Sequence, residues 1–187
     1  MRIISGKFKG KKLIEPLDKK TRPLKDLTKE SIFNLIEHSK YINFNLEKSL
    51  VLDLFSGSGS FGLECLSRNA KHTTFVENYR PAINVLRKNA NNLNLNDEIT
   101  IIDKDIFNIK ISKYFENKYN LIFLDPPYSE KNISALFLLI LNQKLLKKTS
   151  LIIIHRNKKS NDIFPKEFKI IETRSYGVSK IIFLKLR

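Results

Sequence analysis

The chain has 187 residues, of which 42% are apolar and one is cysteine, with a formal net charge of +15. That length suits one domain with its own core, and a single cysteine, Cys65, excludes an internal disulfide and a cysteine-built metal site. The basic N-terminus lacks an apolar h-region and the apolar run from Ile133 to Leu141 is too short to cross a bilayer, so neither a secretory signal nor a membrane span is expected and the cytoplasm is the expected compartment.

Arg2-Ile3-Ile4, a turn at Ser5-Gly6, Phe8, Gly10 and Leu13-Ile14 predict a small basic hairpin, and residues 16–25, with Pro16 and Pro23, predict a loop. Residues 1–30 carry ten basic side chains against four acidic ones. Abundant Lys, Asn and Ile is what AT-rich coding would produce by itself, but clustering at one end is the pattern of a nucleic-acid footprint. Residues 1–25 therefore read as a basic N-terminal piece, and 26–187 as the main domain. Leu27, Ile32, Phe33, Leu35 and Ile36 recur at helical spacing, which predicts a helix from Asp26 to Ile36.

Leu50 to Phe55 is an apolar strand, followed by Ser56-Gly57-Ser58-Gly59-Ser60-Phe61-Gly62 and a helix-like stretch, Leu63 to Arg68. Strand, glycine-rich turn and helix form the nucleotide-binding opening of a doubly wound sheet. Ser56, Gly57 and Gly59 would let the backbone approach a ligand closely. The next strand, Thr73 to Val76, ends on Glu77, 20 residues beyond Gly57, an offset that suits an acid gripping a ribose hydroxyl pair. Pro81 belongs in the first turn of a helix running on through Ala82 to Asn92. A strand at 99–103 leads to Asp105, placed to hold an adenine edge.

The strand at 120–124 stops on Asp125-Pro126-Pro127-Tyr128. Two prolines remove two N–H donors, leaving backbone that only accepts hydrogen bonds. A carboxylate, rigid carbonyls and an aromatic ring suit one task, holding a flat amine-bearing ring while the amine attacks. Asp125, Pro126 and Tyr128 are thus the catalytic candidates. A buried helix, Ile133 to Leu141, a strand at 150–154, a strand from Phe168 to Thr173, a turn at Ser175-Tyr176-Gly177 and a strand from Lys180 to Leu186 complete the chain. The connection between the last two strands is short, so the final strand is reversed in an otherwise parallel sheet. His38, His72 and His155 show no ligand spacing and are read as structural or solvated.

This series of elements resembles the class I S-adenosylmethionine-dependent methyltransferases, an α/β Rossmann-like fold with a seven-stranded, mostly parallel sheet and a reversed last strand, here with a small N-terminal β-hairpin added. The whole chain resembles one family, the bacterial 16S ribosomal RNA guanine-N2 methyltransferases (ribosomal small subunit methyltransferase D). The match is carried by Arg2-Ile3-Ile4-Ser5-Gly6, Gly10-Lys11-Lys12-Leu13, Arg22-Pro23, Asp26, Glu30 to Asn34, Asp53 to Gly62 and Asp125 to Tyr128. The resemblance implies S-adenosylmethionine as cofactor, and as substrate guanine 966 (rRNA numbering) of 16S rRNA in a small-subunit assembly intermediate. It implies direct transfer to N2, without a metal; nothing in the sequence suggests an assembly, so a monomer is the default expectation. Asp125 and the Pro126 carbonyl would accept the amine hydrogens, and Tyr128 would stack on the flipped base. Asp53 would orient the glycine loop or meet the methionine amino group. Arg2, Lys7, Lys11, Lys12 and Arg22 would contact RNA. Leu27 stands where the family commonly has arginine, which is expected to weaken one RNA contact. His155-Arg156 follows the fifth strand where an acid is frequent, and is expected to add positive charge at the sheet edge without touching the chemistry. An adenine-N6 DNA methyltransferase and a non-catalytic rRNA-binding assembly factor are the alternatives.

Overall fold

A computed structural model describes residues 1–16, 24–108, 114–115 and 118–187; Arg22 and Pro23 lie outside them. The elements are α1 (Asp26–His38), β1 (Leu50–Leu54), α2 (Ser60–Ser67), β2 (His72–Glu77), α3 (Arg80–Asn92), β3 (Ile99–Asp103), β4 (Tyr119–Leu124), α4 (Ile133–Asn142), β5 (Leu146–Asn157), β6 (Phe168–Tyr176) and β7 (Ser179–Leu186). Seven strands form one sheet in the order β3-β2-β1-β4-β5-β7-β6. β1 to β5 pair in parallel, and β7 is antiparallel to both β5 and β6. The expected reversed last strand is therefore present. The final turn is tighter than expected: β6 runs through Tyr176, and Gly177-Val178 alone makes the loop, with Gly177 at φ 56°. A two-residue hairpin demands positive φ, so the strands extend until glycine supplies it.

The strands alternate sides with a period of two. Val51, Phe75, Leu121, Phe123, Leu151, Ile153, Ile181 and Phe183 join α1, α2 and α3 in one buried cluster. Leu52, Leu54, Val76, Ile122, Leu124, Ile152, Ile154, Ile182 and Leu184 join α4 in the other. Both faces are covered, which is why the central strands read as unbroken apolar runs. Phe61 of α2 stacks between Phe33 of α1 and Phe123 of β4, with centroid separations of 5.1 and 3.8 Å.

The N-terminal segment is held against this body. Only Arg2 and Lys12 form a β-bridge, but Ile3 and Leu13 lie in the same core cluster as α1 and α2. Glu64 of α2 accepts the Ile4 and Ser5 N–H groups at 2.7 and 2.9 Å. Lys29 of α1, fully buried, donates to the Arg2 carbonyl and to Ser60 Oγ and lies 3.6 Å from the Glu64 carboxylate. Arg68 closes the network on Glu64 and Glu37. Lys29, one of the ten basic side chains counted in residues 1–30, is thus an interior cation. Helical spacing alone placed it on neither face, because its partner is 35 residues away on another helix.

Candidate active site

Parallel strands end together, and here their C-terminal ends open onto a cavity of about 620 Å³. Ligands of open α/β sheets bind in this crevice. Asp53, Ser56, Gly57, Glu77 and Asp105 line it, as do Asp125, Pro126 and Tyr128. Five of the six cofactor candidates and all three catalytic ones therefore meet in one space. Gly59, the sixth, faces away. It begins α2 at φ 80°, and a β-carbon there would overlap the Leu86 side chain. Gly57, at φ 55°, has open space where its side chain would stand, so it is the glycine that leaves room for a ligand.

Glu77 ties the glycine loop to β2. Its Oε2 accepts the Gly57 N–H at 2.8 Å and its Oε1 accepts the Asn78 and Tyr79 N–H groups at 2.9 Å. A carboxylate has about four lone-pair positions, so this geometry leaves one for a ligand rather than the pair expected. Asp105 is braced similarly, by the Phe107 N–H and the Asn108 amide at 3.0 Å each. Phe55, itself left-handed at φ 58°, and Phe107 set two rings 6.3 Å apart on the cavity wall.

Asp53 is buried near the end of β1, and its Oδ2 accepts the Gly62 N–H at 3.0 Å. Its Oδ1 has no partner among the described residues. Burial pushes this carboxyl well above the usual carboxylate range; the Gly62 hydrogen bond pulls it back, and the Asp125 and Glu77 charges push it up again. Burial without solvent favours the uncharged form unless a cation is supplied. Ser56 Oγ is also buried without a partner among the described residues.

Asp125 donates its N–H to the Leu54 carbonyl at 3.2 Å, so the β1–β4 ladder runs one step past the strand end. The loop beyond Pro126 is clamped. Pro127's carbonyl accepts the Glu130 N–H at 2.9 Å and an Arg156 N–H at 3.2 Å; Arg156 also donates to the Glu130 carbonyl at 2.7 Å and to Asp162 at 3.0 Å. Tyr128 and Ser179 share a hydrogen bond of 2.7 Å. Among the described residues the Pro126 carbonyl accepts none, which leaves it available to a ligand.

Two expectations about His155-Arg156 are overturned. Both residues lie within β5, which is flanked by β4 and β7 and is not a sheet edge. They also do not stand apart from the candidate chemistry. His155 Nδ1 lies 2.8 Å from Asp125 Oδ1, and Arg156 is the clamp on the Asp-Pro-Pro-Tyr segment. His155 was the functional-site neighbour that sequence reading missed. A signal existed: Asp125 and His155 each follow an apolar run of four, and successive parallel strands joined by a helix are commonly neighbours.

The basic candidates are spread. Arg2 is exposed beside Asp26, and Lys11 and Lys12 are exposed. Lys7 sits at the far end of α2, pairing with Glu98 just before β3, at the sheet end away from the cavity. Arg22 is outside the described residues. Leu27 is 70% exposed on α1. Among the described residues no helix is long and apolar enough to cross a membrane.

Residues 1–185 match the family model described as conserved hypothetical protein 95. The chain is 33% identical over 172 residues to ribosomal RNA small subunit methyltransferase D of Buchnera aphidicola subsp. Acyrthosiphon pisum, across 92% of this chain and 86% of that one. The solved structure of yhhF from Escherichia coli superposes at a TM-score of 0.82 with 24% identity, covering 100% and 97% of the two chains. SMU.776, solved in complex with SAH, superposes at 0.66 with 18% identity over 86% of this chain and 50% of that one.

Proposed function

We propose that this chain, which belongs to the ribosomal small subunit methyltransferase D family, is an rRNA methyltransferase that transfers a methyl group from S-adenosylmethionine to the exocyclic N2 of guanine 966 in 16S rRNA of a small-subunit assembly intermediate. The observation that carries this reading is one cavity shared by a buried acid, Asp53, whose Oδ1 has no partner among the described residues, and the acceptor-only segment that starts at Asp125.

The residues fit the cofactor. A buried carboxylate oxygen without a partner is costly unless a cation reaches it, and the ammonium of the methionine part is such a cation. Asp53 would hold it, Gly57 and Ser56 would line its path, and Glu77 would accept from a ribose hydroxyl. Asp105 would take the purine edge, with Phe55 and Phe107 beside the ring. When bound, S-adenosylmethionine supplies an electrophilic methyl on a sulfonium sulfur.

The protein's own work is orientation. An aryl amine is a weak nucleophile because its lone pair is delocalised into the ring. Asp125 and the Pro126 carbonyl would each accept one amine hydrogen, turning the lone pair toward the methyl. Holding two reactants in line can contribute roughly 7–11 kcal/mol. Tyr128 would stack on the base, a contact worth about 1–3 kcal/mol, and its bond to Ser179 fixes the ring. A base in a loop is presented at less cost than one in a duplex.

Nucleoside mass mapping of 16S rRNA from cells lacking the protein tests this reading. Loss of one N2-methylguanine at position 966, restored by the intact gene, is expected. Intact methylation there, or transfer of labelled methyl to DNA adenine by the pure protein, would replace the reading with another.

The RNA contact is testable without removing the N-terminal segment, whose Ile3 and Leu13 belong to the core. Lys9, Lys11 and Lys12 are exposed and in no ion pair among the described residues. Replacing all three by alanine should flatten the salt dependence of RNA binding, since each lost phosphate contact lowers the log–log slope by about 0.9 on duplex and about 0.7 on single strands. An unchanged slope would move the footprint elsewhere.

A further inference from the structure

β4 and β5 are paired in parallel with Leu124 beside Ile154. The next residue on each strand is therefore Asp125 on one and His155 on the other, side by side. The period of two turns both toward the α1–α2 side, the side that also carries Asp53. His155 is 3% exposed. Its Nδ1 lies 2.8 Å from Asp125 Oδ1, its ring meets Tyr128 edge-on at 5.9 Å, and its Nε2 is buried with no partner among the described residues.

These contacts decide the direction of the hydrogen bond. A proton on Nε2 would be a buried donor with nothing to receive it, whereas a bare Nε2 lone pair costs less. The tautomer with its proton on Nδ1 is thus favoured, and Nδ1–H donates to Asp125. With Oδ1 held by the imidazole, Oδ2 remains for a substrate. Arg156, the following residue, holds the same segment from the opposite face through Pro127 and Glu130.

We infer that His155 is a positioning residue for the transfer: by donating to Oδ1 it fixes the orientation of the Asp125 carboxylate and aims Oδ2 at the amine. The inference rests on the proposed amine methylation. In the step itself the amine nitrogen forms the new N–C bond with its lone pair, the old bonding pair stays on sulfur, and one amine proton passes to Asp125 Oδ2. His155 keeps its own proton throughout and exchanges none, since Nε2 is sealed from water. The charged and titratable groups around the ring are Asp125 at the end of β4, Tyr128 in the following loop, Asp53 on β1 beyond Asp125, and Arg156 with Asp162 and Glu130 on the far face; the β7 neighbour, Ile181, is apolar.

The test compares wild type with His155→Leu and His155→Asn, using labelled cofactor and undermethylated small-subunit particles. Leucine removes the donor; asparagine keeps an N–H near the Nδ1 position. For His155→Leu, kcat should fall about ten- to a hundredfold, the rate equivalent of a hydrogen bond to a charged group. Its KM for cofactor should change little. His155→Asn should recover most of the rate. A His155→Leu enzyme with wild-type kcat, or two variants equally impaired, overturns the role. Nitrogen NMR of the wild-type ring needs no variant: Nδ1 should be protonated and Nε2 bare at neutral pH, and the opposite tautomer overturns the inference. Wild-type protein that methylates no guanine N2 would bring down the functional reading itself, and the role of His155 with it.

Discussion

Asp125→Ala is expected to cut methyl transfer by at least about a hundred- to a thousandfold, the loss seen when one preorganised polar contact to a reacting group is removed, while RNA affinity stays nearly unchanged. Asp125 lines the cavity, with one oxygen taken by His155 and its N–H bonded to Leu54. Alanine preserves that backbone bond, so the segment should keep its path. The substitution does leave His155 with both ring nitrogens buried and unpaired, a cost of about 1–3 kcal/mol. A thermal melt of the variant therefore belongs beside the rate assay, so that lost folding is separated from lost transfer. A variant that still transfers within tenfold of wild type, by an order-of-magnitude criterion, would remove Asp125 from the reaction.

Glu64→Leu should destabilise the fold by about 3–5 kcal/mol, the usual result of stripping the counter-charge from a buried ion. Glu64 is fully buried and serves four donors at once: the Ile4 and Ser5 N–H groups, Arg68 Nε, and the Lys29 ammonium at 3.6 Å. Its loss would orphan two backbone donors and leave Lys29 with Asp26, 3.9 Å away, as its nearest acid. Lys29→Met should cost less, because Glu64 would still hold Arg68 and the N-terminal backbone. Urea unfolding of both variants checks the order; equal losses would mean that the Lys29–Glu64 pair, rather than the clamp on the N-terminal segment, sets the stability. Burial lowers the Lys29 pKa below 10.5, against the opposing pull of Glu64 and Asp26. Between that lowered value and 10.5 the unfolded chain binds more protons, so wild-type stability attributable to Lys29 should rise as pH climbs through the window. The Glu64→Leu variant should show a larger rise, since the carboxylate that resists the lowering is gone.

The placement of Glu77 and Asp125 in one cavity was legible because each stands at the end of a predicted strand, and strand ends in a parallel sheet converge. The second bracing acid was legible only in part. Asp105 follows its strand, but nothing local indicated that Phe107 and Asn108 would brace its carboxylate. Gly59 could not be told from Gly57 by its letter or its positive φ, yet it packs where Gly57 is open. The difference is Leu86, which comes from the next helix. His155 was read as structural or solvated for a related reason. A lone histidine carries no periodicity, and its meaning depends on the residue across the strand pair.

The sequence alone determined what local chemistry can specify: strands from apolar runs, a glycine turn after β1, a rigid acceptor segment after β4, and a reversed final strand from a connection too short for a crossover. The tertiary structure alone decided which charges are interior and which side chains touch. Lys29 and Glu64, or Asp125 and His155, are tens of residues apart along the chain, and their hydrogen bonds form only after the sheet has closed the distance and shut out the water that would otherwise compete for them.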